Sequence, residues 1–223
     1  EPCGQITHRR KRALRELDSL LERRDFVAAQ RAIVVPLALA PGDIRLAIAM
    51  GRIHHGLGRV AEAIGEFERA TAIDGCPPVA FRYLALAQAD AGCADDAVAS
   101  MRRFAEADGS ATAWFALGAL ADRVAEHELA LDAARECLSR APSHDRARFL
   151  VARSLTILGQ LDASAAEYRE LIRRRNDVPS AWFGLLDLKT VTLAADEIEA
   201  LRSDLDRAGS DPVAKAKLQF SLG

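Results

Sequence analysis

The sequence predicts an all-α fold, a solenoid in which helical hairpins of similar length stack one after another. The first observation behind this prediction is an internal period of about 34 residues that runs through the chain without an insertion. The second is that apolar residues recur three and four positions apart, as in amphipathic helices. The third is the regular spacing of turn residues such as Gly58, Gly92 and Gly159. No stretch alternates polar and apolar residues for long enough to form a strand.

The clearest repeat runs from Ala111 to His144. Trp114 opens its motif, Leu117 and Gly118 follow, and small residues and a proline complete it: Ala121, Ala130, Ala134 and Pro142. The tetratricopeptide consensus has W-x2-L-G, two alanines and a closing proline over about 34 residues. The sequence therefore resembles a tetratricopeptide repeat (TPR) protein. This resemblance implies a right-handed superhelical solenoid of TPR-like hairpins.

Counting in steps of about 34 residues from this repeat toward both ends of the chain gives six repeats. Together they form one predicted domain, 1–223. The predicted repeats are about 10–43, 44–77, 78–110, 111–144, 145–178 and 179–211, and 212–223 begins a further or capping helix. Two repeats depart from the pattern. Pro36 predicts a kink or an early end in the second helix of the first repeat. The sixth repeat has a break at 190–193, followed by a second helix at about 194–207.

Within a hairpin, small residues are expected where the two helices approach each other closely. Gly51, Ala63, Gly118 and Ala130 occupy these positions. Recurring aromatic residues are expected in the core: Phe26, Phe67, Phe104 and Tyr168. Because one hairpin cannot bury its own apolar face, neighbouring hairpins must stack to form a continuous core.

The C-terminal part carries a more particular resemblance. Trp182, the segment Leu185 to Thr190, and Asp196-Glu197-Ile198 resemble the last repeat before the catalytic domain in bacterial proteins that fuse TPRs to a sulfotransferase. The resemblance covers about residues 179–223 and implies that a catalytic domain lies downstream in the parent protein. Such an enzyme holds the phosphate of its sulfate donor in a backbone loop at a helix start, and this chain has no such loop.

The chain ends one helix into a seventh repeat. Val213, Leu218, Phe220 and Leu222 are therefore expected to leave apolar surface without a second helix to cover it. An uncapped end of a repeat array can stack on another copy, since such arrays rely on polar caps for solubility. Self-association through this end is one prediction, and a cut-off parent chain or a capping partner is the alternative.

Composition limits the kinds of partner. The chain has 30 basic and 32 acidic residues and a net charge of -2, which predicts neither nucleic acid nor an anionic membrane as the main partner. No apolar run reaches the roughly 18 residues of a membrane span. Cys76, Cys93 and Cys137 have no CxxC spacing and are predicted to be small buried residues, which favours a cytoplasmic location. The chain begins without methionine, so we expect a processed or cloned piece.

No set of residues has the types and spacing of a known catalytic or metal site. The sequence therefore predicts no catalytic, cofactor-binding or metal-binding residues in this chain. His54 and His55 point about 100° apart on a helix and have no third ligand at metal spacing. Basic runs at residues 8–12 and 173–175 are most simply solvated helix faces. A stand-alone enzyme is therefore the least favoured class.

In TPR proteins the first helix of each repeat lines the concave groove, where ligands usually lie. The resemblance therefore implies a set of groove-facing candidates: Arg45, Arg52, His55, Arg82, Tyr83, Phe115, Arg123, Arg146, Phe149, Arg153 and Phe183. Asp90, Asp122 and Asp187 oppose these arginines. Because guanidinium pairs bidentately with carboxylate, the set favours an acidic peptide or a C-terminal carboxylate. The alternative is an ordinary solvated groove in an arginine-rich protein.

These observations favour a protein-interaction module that binds a peptide or a partner segment in its concave groove. The alternative function is an N-terminal substrate-positioning or regulatory arm of a TPR-fused sulfotransferase.

Overall fold

The computed structural model describes the backbone of residues 2–208 and 211–222, and the side chains of residues 12–208 and 211–219. Within these residues all regular structure is helical, which confirms the predicted all-α class. The helices are α1 (Pro2–Glu22), α2 (Phe26–Ala32), α3 (Val34–Leu39), α4 (Ile44–Gly56), α5 (Val60–Thr71), α6 (Val79–Asp90), α7 (Ala94–Asp108), α8 (Ala111–Arg123), α9 (His127–Arg140), α10 (Asp145–Ile157), α11 (Leu161–Arg173), α12 (Val178–Asp187), α13 (Ala195–Arg207) and α14 (Pro212–Leu222).

The chain forms two compact units, Glu1–Asp108 and Gly109–Gly223. Unit 1 contains α1 to α7, and its most extensive contacts join α4 with α5 and α6 with α7. Unit 2 contains α8 to α14, and α8 packs most extensively against α9, followed by α9 with α10 and α10 with α11. Each unit is therefore a stack of helical hairpins, as the sequence period predicts.

Local signals explain where the helices begin. Asp25 accepts a hydrogen bond from the Ala28 amide at 3.0 Å at the start of α2, and the Asp43 carboxylate does the same for the Arg45 amide at the start of α4. Ser110 caps α8 through the Ala113 amide at 3.2 Å. These side chains satisfy amides that have no partner in the first turn of a helix.

Small residues bring the helices of a hairpin together, as predicted. A Cβ atom on Gly51 would lie 2.4 Å from Cε1 of the fully buried Phe67. A Cβ atom on Gly118 would lie 3.3 Å from the Ala130 carbonyl oxygen and 3.0 Å from Leu150 Cδ2. At these points only a hydrogen atom fits between the helices.

The prediction for Pro36 is confirmed. The second helical segment of the first hairpin is broken at Ile33, with α2 ending at Ala32 and α3 beginning at Val34. Proline has no N–H to donate to the preceding turn, so a continuous helix would leave a carbonyl without its partner there. Pro36 itself is buried.

At the C-terminal end the predicted second helix of the sixth repeat forms as α13, after an irregular segment that includes the predicted break. However, α12 packs more extensively against α14 than against α13. The prediction of uncovered apolar surface is wrong for Leu218, because its side chain is only 1% exposed in the core beneath α12. Val213 is 64% exposed, as expected. The side chains of Phe220 and Leu222 lie outside the described residues.

Two sets of side-chain predictions have mixed outcomes. Phe67, Phe104 and Tyr168 are buried, whereas Phe26 is half-buried. Among the cysteines, Cys137 is buried and Cys76 is half-buried, and the prediction is wrong for Cys93. Cys93 is exposed because it lies in the turn between α6 and α7 rather than within a helix. Among the described residues, none of the helices combines the length and hydropathy that crossing a membrane requires.

Candidate functional site

Four of the predicted groove residues meet in one cleft of unit 2, with a volume of about 360 Å³. The cleft lies between α8 and α10, and the turn before α12 contributes one residue. Its lining residues are Phe115, Ala119, Asp122, Arg146, Phe149, Leu150, Arg153 and Asp177. On α8 the lining residues are three, four and seven apart, and on α10 Arg146, Leu150 and Arg153 follow the same spacing with Phe149 beside them, so each helix turns one side toward the cleft.

Aromatic rings form the apolar part of the cleft and support one arginine. The guanidinium carbon of Arg146 lies 5.1 Å from the centroid of the Phe115 ring, and the His144 ring packs against Phe115 at 4.7 Å. Phe149 meets Tyr168 edge to face at 5.7 Å. Tyr168 is 4% exposed, and burial raises the pKa of its phenol. This packing restricts the rotamers of the residues that line the cleft.

The two arginines of the cleft differ in their partners. Arg153 forms an ion pair with Asp122, whose side chain is 14% exposed. The Oδ1 atom of Asp122 is buried and accepts no hydrogen bond from the described residues. No carboxylate among the described residues pairs with Arg146, which contacts only the face of Phe115 through its guanidinium. The cleft therefore offers one cation without a counter-ion.

Three predicted residues come together in unit 1, on the first helices α4 and α6. The guanidinium carbon of Arg52 lies 5.2 Å from the centroid of the Tyr83 ring, which stacks on Phe67 at 5.8 Å. His55 Nε2 lies 2.8 Å from Asp90 Oδ2. Cation–π and polar contacts thus cross between neighbouring first helices here too.

The other predicted residues are not brought into either cluster. Arg45 folds back on its own helix cap, with Nη2 2.9 Å from Asp43 Oδ2, and this contact raises the pKa of the arginine. Arg82 is exposed on α6. Arg123 and Phe183 are exposed on α8 and α12 and do not line the unit 2 cleft.

Sequence reasoning missed part of the cleft lining. Ala119 and Leu150 follow from the helical spacing, because each lies four residues after a predicted residue, Phe115 and Arg146. Asp177 has no such signal, because it lies in an irregular turn with a left-handed φ of 39°. Among the described residues, no group of three or more histidine, cysteine or carboxylate side chains could hold a metal ion.

A larger cleft of about 610 Å³ separates α11 from α13 in the same unit. Its walls carry the ion pair between Arg169 and Glu197, at 2.7 Å, and Trp182 lies at its floor. This ion pair lowers the pKa of Glu197 below its ordinary value. None of the predicted groove residues lines this cleft.

Comparison with known proteins gives the same fold. No family model matches the chain, and no curated protein matches it. Among solved structures, the protein MamA shares 21% identity at a TM-score of 0.62, over 71% of this chain and 94% of that one.

Two further solved structures cover more of the chain. YrrB, described as a TPR protein with an unusual peptide-binding site, shares 14% identity over 82% of this chain and 95% of its own, at a TM-score of 0.62. PilF of Pseudomonas aeruginosa shares 12% identity over 97% of this chain and 99% of its own, at a TM-score of 0.70. At these identities the likeness establishes the fold alone. The chain thus has the helical-repeat solenoid fold of the tetratricopeptide repeat proteins.

Proposed function

We propose that this protein is an interaction module that binds a peptide or a partner segment in the groove lined by the first helices of its hairpins, and that the unit 2 cleft provides the main contacts. The observation that carries this proposal is Arg146, a cation without a carboxylate partner among the described residues, supported on Phe115 beside Phe149. The TPR fold of the neighbours, one of which is described as peptide-binding, supports the general class.

The chemistry of the cleft favours a ligand with an acidic group next to an apolar one. Arg146 can form a bidentate pair with a carboxylate, from a side chain or from a C-terminus. Phe115 and Phe149 offer aromatic surface to an apolar side chain.

In this proposal the chain acts by binding and catalyses no reaction itself. The support is the fold class of the neighbours. In addition, the sequence shows no recognisable pattern that would pair a nucleophilic side chain with a general base. A cytoplasmic location stays a prediction based on cysteine usage.

The test is a selection from a displayed peptide library, followed by binding measurements with the synthetic peptide that is most enriched. We expect enriched peptides to combine an acidic and an apolar residue, and Arg146→Ala to weaken binding about tenfold or more. Arg123→Ala is the matched control, because it removes an arginine of the same helix pair that does not line the cleft. Equal losses for both variants, or none for Arg146→Ala, would contradict the proposal.

The second candidate function is the arm of a TPR-fused sulfotransferase. Its support is the residue pattern at 179–223, in particular Trp182 and the segment Leu185 to Thr190. The sequence of the parent gene decides it: a phosphate-binding loop downstream of Gly223 supports an arm, and a stop codon soon after Gly223 removes this candidate.

Self-association through the C-terminal end is a further prediction of the sequence. Exposed Val213 supports it, whereas the burial of Leu218 removes part of the apolar surface on which it rested. Light scattering at increasing concentration, with Val213→Glu as the variant, tests it. A molar mass that stays that of the monomer at every concentration, for the unchanged protein as for the variant, would contradict self-association.

A further inference from the structure

The broken helix α2–α3 in unit 1 turns an apolar face outward. The exposed positions from Phe26 to Leu39 are spaced three and four apart and form one stripe: Val27, Gln30, Arg31, Val34, Val35, Ala38 and Leu39. Its four large aliphatic side chains are 55%, 62%, 59% and 47% exposed, in chain order. We call this surface the aliphatic stripe.

The same face of the other hairpins is charged, which provides an internal comparison. Exposed positions on their second helices carry carboxylates and arginines: Glu62 and Glu68 on α5, Asp95, Arg102 and Glu106 on α7, and Glu128, Asp132 and Arg135 on α9. Surface helices normally place polar residues away from the core. The aliphatic stripe thus departs from the charged exposed positions of α5, α7 and α9.

The one charge on the stripe itself is positive. Arg31 is the only charged residue between Phe26 and Leu39, and two acids and two arginines precede the helix: Glu22, Arg23, Arg24 and Asp25. No carboxylate among the described residues pairs with these three arginines. Arg59 adds to the same flank, with guanidinium nitrogens 2.9 and 3.2 Å from the Gln30 carboxamide.

One of the two acids that precede the helix, Asp25, serves as its cap. Asp25 accepts the Ala28 amide at 3.0 Å as the cap of α2. The surface therefore combines unpartnered aliphatic side chains with unpaired cations. A complementary surface would present apolar residues flanked by carboxylates.

Size and composition narrow the class of partner. Four half-exposed aliphatic side chains offer on the order of 400 Å², while a stable dimer buries about 800 Å² per copy. The stripe alone is therefore too small for a symmetric dimer. Its exposed positions carry no aromatic residue and only one cation, unlike helices that lie in a membrane interface. Its length of about 18 Å matches three turns of a single helix.

We infer that the aliphatic stripe is a docking surface for an amphipathic helix of another protein, with the apolar face of that helix on Val27, Val34, Val35 and Leu39 and its acidic flank beside Arg31. The interaction joins the recurrent mode in which one amphipathic helix lays its apolar face on a complementary surface. It is independent of the proposed peptide cleft, which lies in unit 2.

Two synthetic helical peptides of about 18 residues, long enough to be helical, test this inference. Both carry leucines three and four positions apart, with glutamates flanking them in one and lysines in the other. We expect the glutamate peptide to bind the full chain at least tenfold more tightly than the lysine peptide. Arg31→Glu should reverse or abolish this preference.

The double variant Val34→Asp, Val35→Asp should weaken binding of the glutamate peptide at least tenfold. Ala61→Asp, at an exposed position of α5, is the matched control and should leave it unchanged. If the double variant fails to fold by circular dichroism, Val27→Gln with Leu39→Gln makes the same test. Because the glutamate peptide also has the chemistry that suits the cleft, the same comparison is made in the Arg146→Ala background, where the loss caused by the double variant should persist.

Several results would overturn the inference. Equal binding of the two peptides, binding of neither, or binding that survives the double variant would each do so. Stripe-dependent sedimentation with vesicles of anionic lipid, without peptide binding, would assign the surface to a membrane instead. A dimer that the double variant abolishes would assign it to a second copy of this chain.

Discussion

Individual residues set the geometry of the hairpin turns. The left-handed position at the end of the first helix recurs at Arg24, Gly58, Gly92, Ala125 and Gly159, with φ between 60° and 82°. An L side chain in this region costs roughly 1–2 kcal/mol because its Cβ approaches the following carbonyl oxygen. Three of the five turns use glycine, and the arginine and the alanine carry this strain.

Ala125→Gly should therefore stabilise the protein. We expect a gain of about 0.5–1 kcal/mol in the free energy of unfolding, since relief of strain exceeds the added entropy of the unfolded chain. Ala99→Gly, the same substitution at an exposed position inside α7, should instead cost about 1 kcal/mol. Urea unfolding measures both. A loss of similar size in the two variants would show that the Ala125 turn is not strained.

Glycine has the opposite role inside the hairpins. Gly51→Ala should destabilise the protein by roughly 1–3 kcal/mol, because its Cβ would meet the buried Phe67 ring at 2.4 Å. Gly65→Ala is the control, since no atom lies within 4 Å of the added Cβ and alanine favours the helix by up to about 1 kcal/mol. Thermal or urea unfolding should give opposite signs for the two. A stabilising Gly51→Ala would contradict the close contact.

At the scale of elements, α13 differs from the other helices in what holds it. Its buried residues are Leu201 and Asp204. The Asp204 carboxylate accepts hydrogen bonds from Trp182 Nε1 at 3.1 Å, from Arg175 Nη1 at 2.6 Å and from Arg207 Nη1 at 3.3 Å. The helix is therefore attached to unit 2 by a polar cluster as well as by the apolar packing of Leu201.

Asp204→Ala should release α13 from the rest of unit 2. Hydrogen bonds to a charged group contribute roughly 1.5–3 kcal/mol, so we expect faster amide exchange across residues 195–207 while α8 to α11 keep their protection. Asp206→Ala, an exposed carboxylate on the same helix, is the control and should change little. Hydrogen exchange with mass spectrometry measures both. Unchanged exchange in Asp204→Ala would contradict the polar attachment.

The ion pair between Arg169 and Glu197 makes part of this attachment depend on pH. The pKa of Glu197 is lowered, first by its hydrogen bond from Arg169. A carboxyl with a lowered pKa contributes stability above its unfolded pKa, and this contribution is lost as pH falls through the lower folded value. Because the pair is partly exposed, the effect is at most about 1 kcal/mol.

Glu197→Gln should accordingly lower the free energy of unfolding at neutral pH. The difference in this free energy between the variant and the unchanged protein should shrink as the pH falls below the ordinary pKa of glutamate. Unfolding by urea at a series of pH values measures this difference. A difference that stays constant or grows toward low pH would show that Glu197 is not stabilised by Arg169.

How far the elements could be predicted depends on whether the signal is local. Pro36 marks the break between α2 and α3 because the missing N–H acts within one turn. The burial of Leu218 could not be predicted in the same way. It depends on α14 packing against α12, a contact between segments that helical periodicity does not specify.

For the whole molecule, the same distinction applies to the candidate site. Asp122 follows Phe115 by seven residues, or about two helical turns, so the two share the face that lines the cleft. Arg123 lies about 100° further round the helix and points elsewhere. Register within one helix thus selects Phe115, Arg146, Phe149 and Arg153. Asp177 depends on an irregular turn, for which the repeat pattern has no position.

The two proposed surfaces lie in different units and differ in chemistry. The cleft of unit 2 combines aromatic rings with an unpaired arginine, which suits an acidic peptide. The aliphatic stripe of unit 1 suits one face of a helix.

The most direct measurement is NMR of the full chain labelled with ¹³C on its phenylalanine rings, titrated with the peptide selected from the library. The central claim is that the cleft between α8 and α10 binds the ligand. It predicts that the ring signals of Phe115 and Phe149 shift and saturate together, while that of Phe104, buried in unit 1, stays in place. Shifts that leave Phe115 and Phe149 unchanged while other rings respond would contradict it.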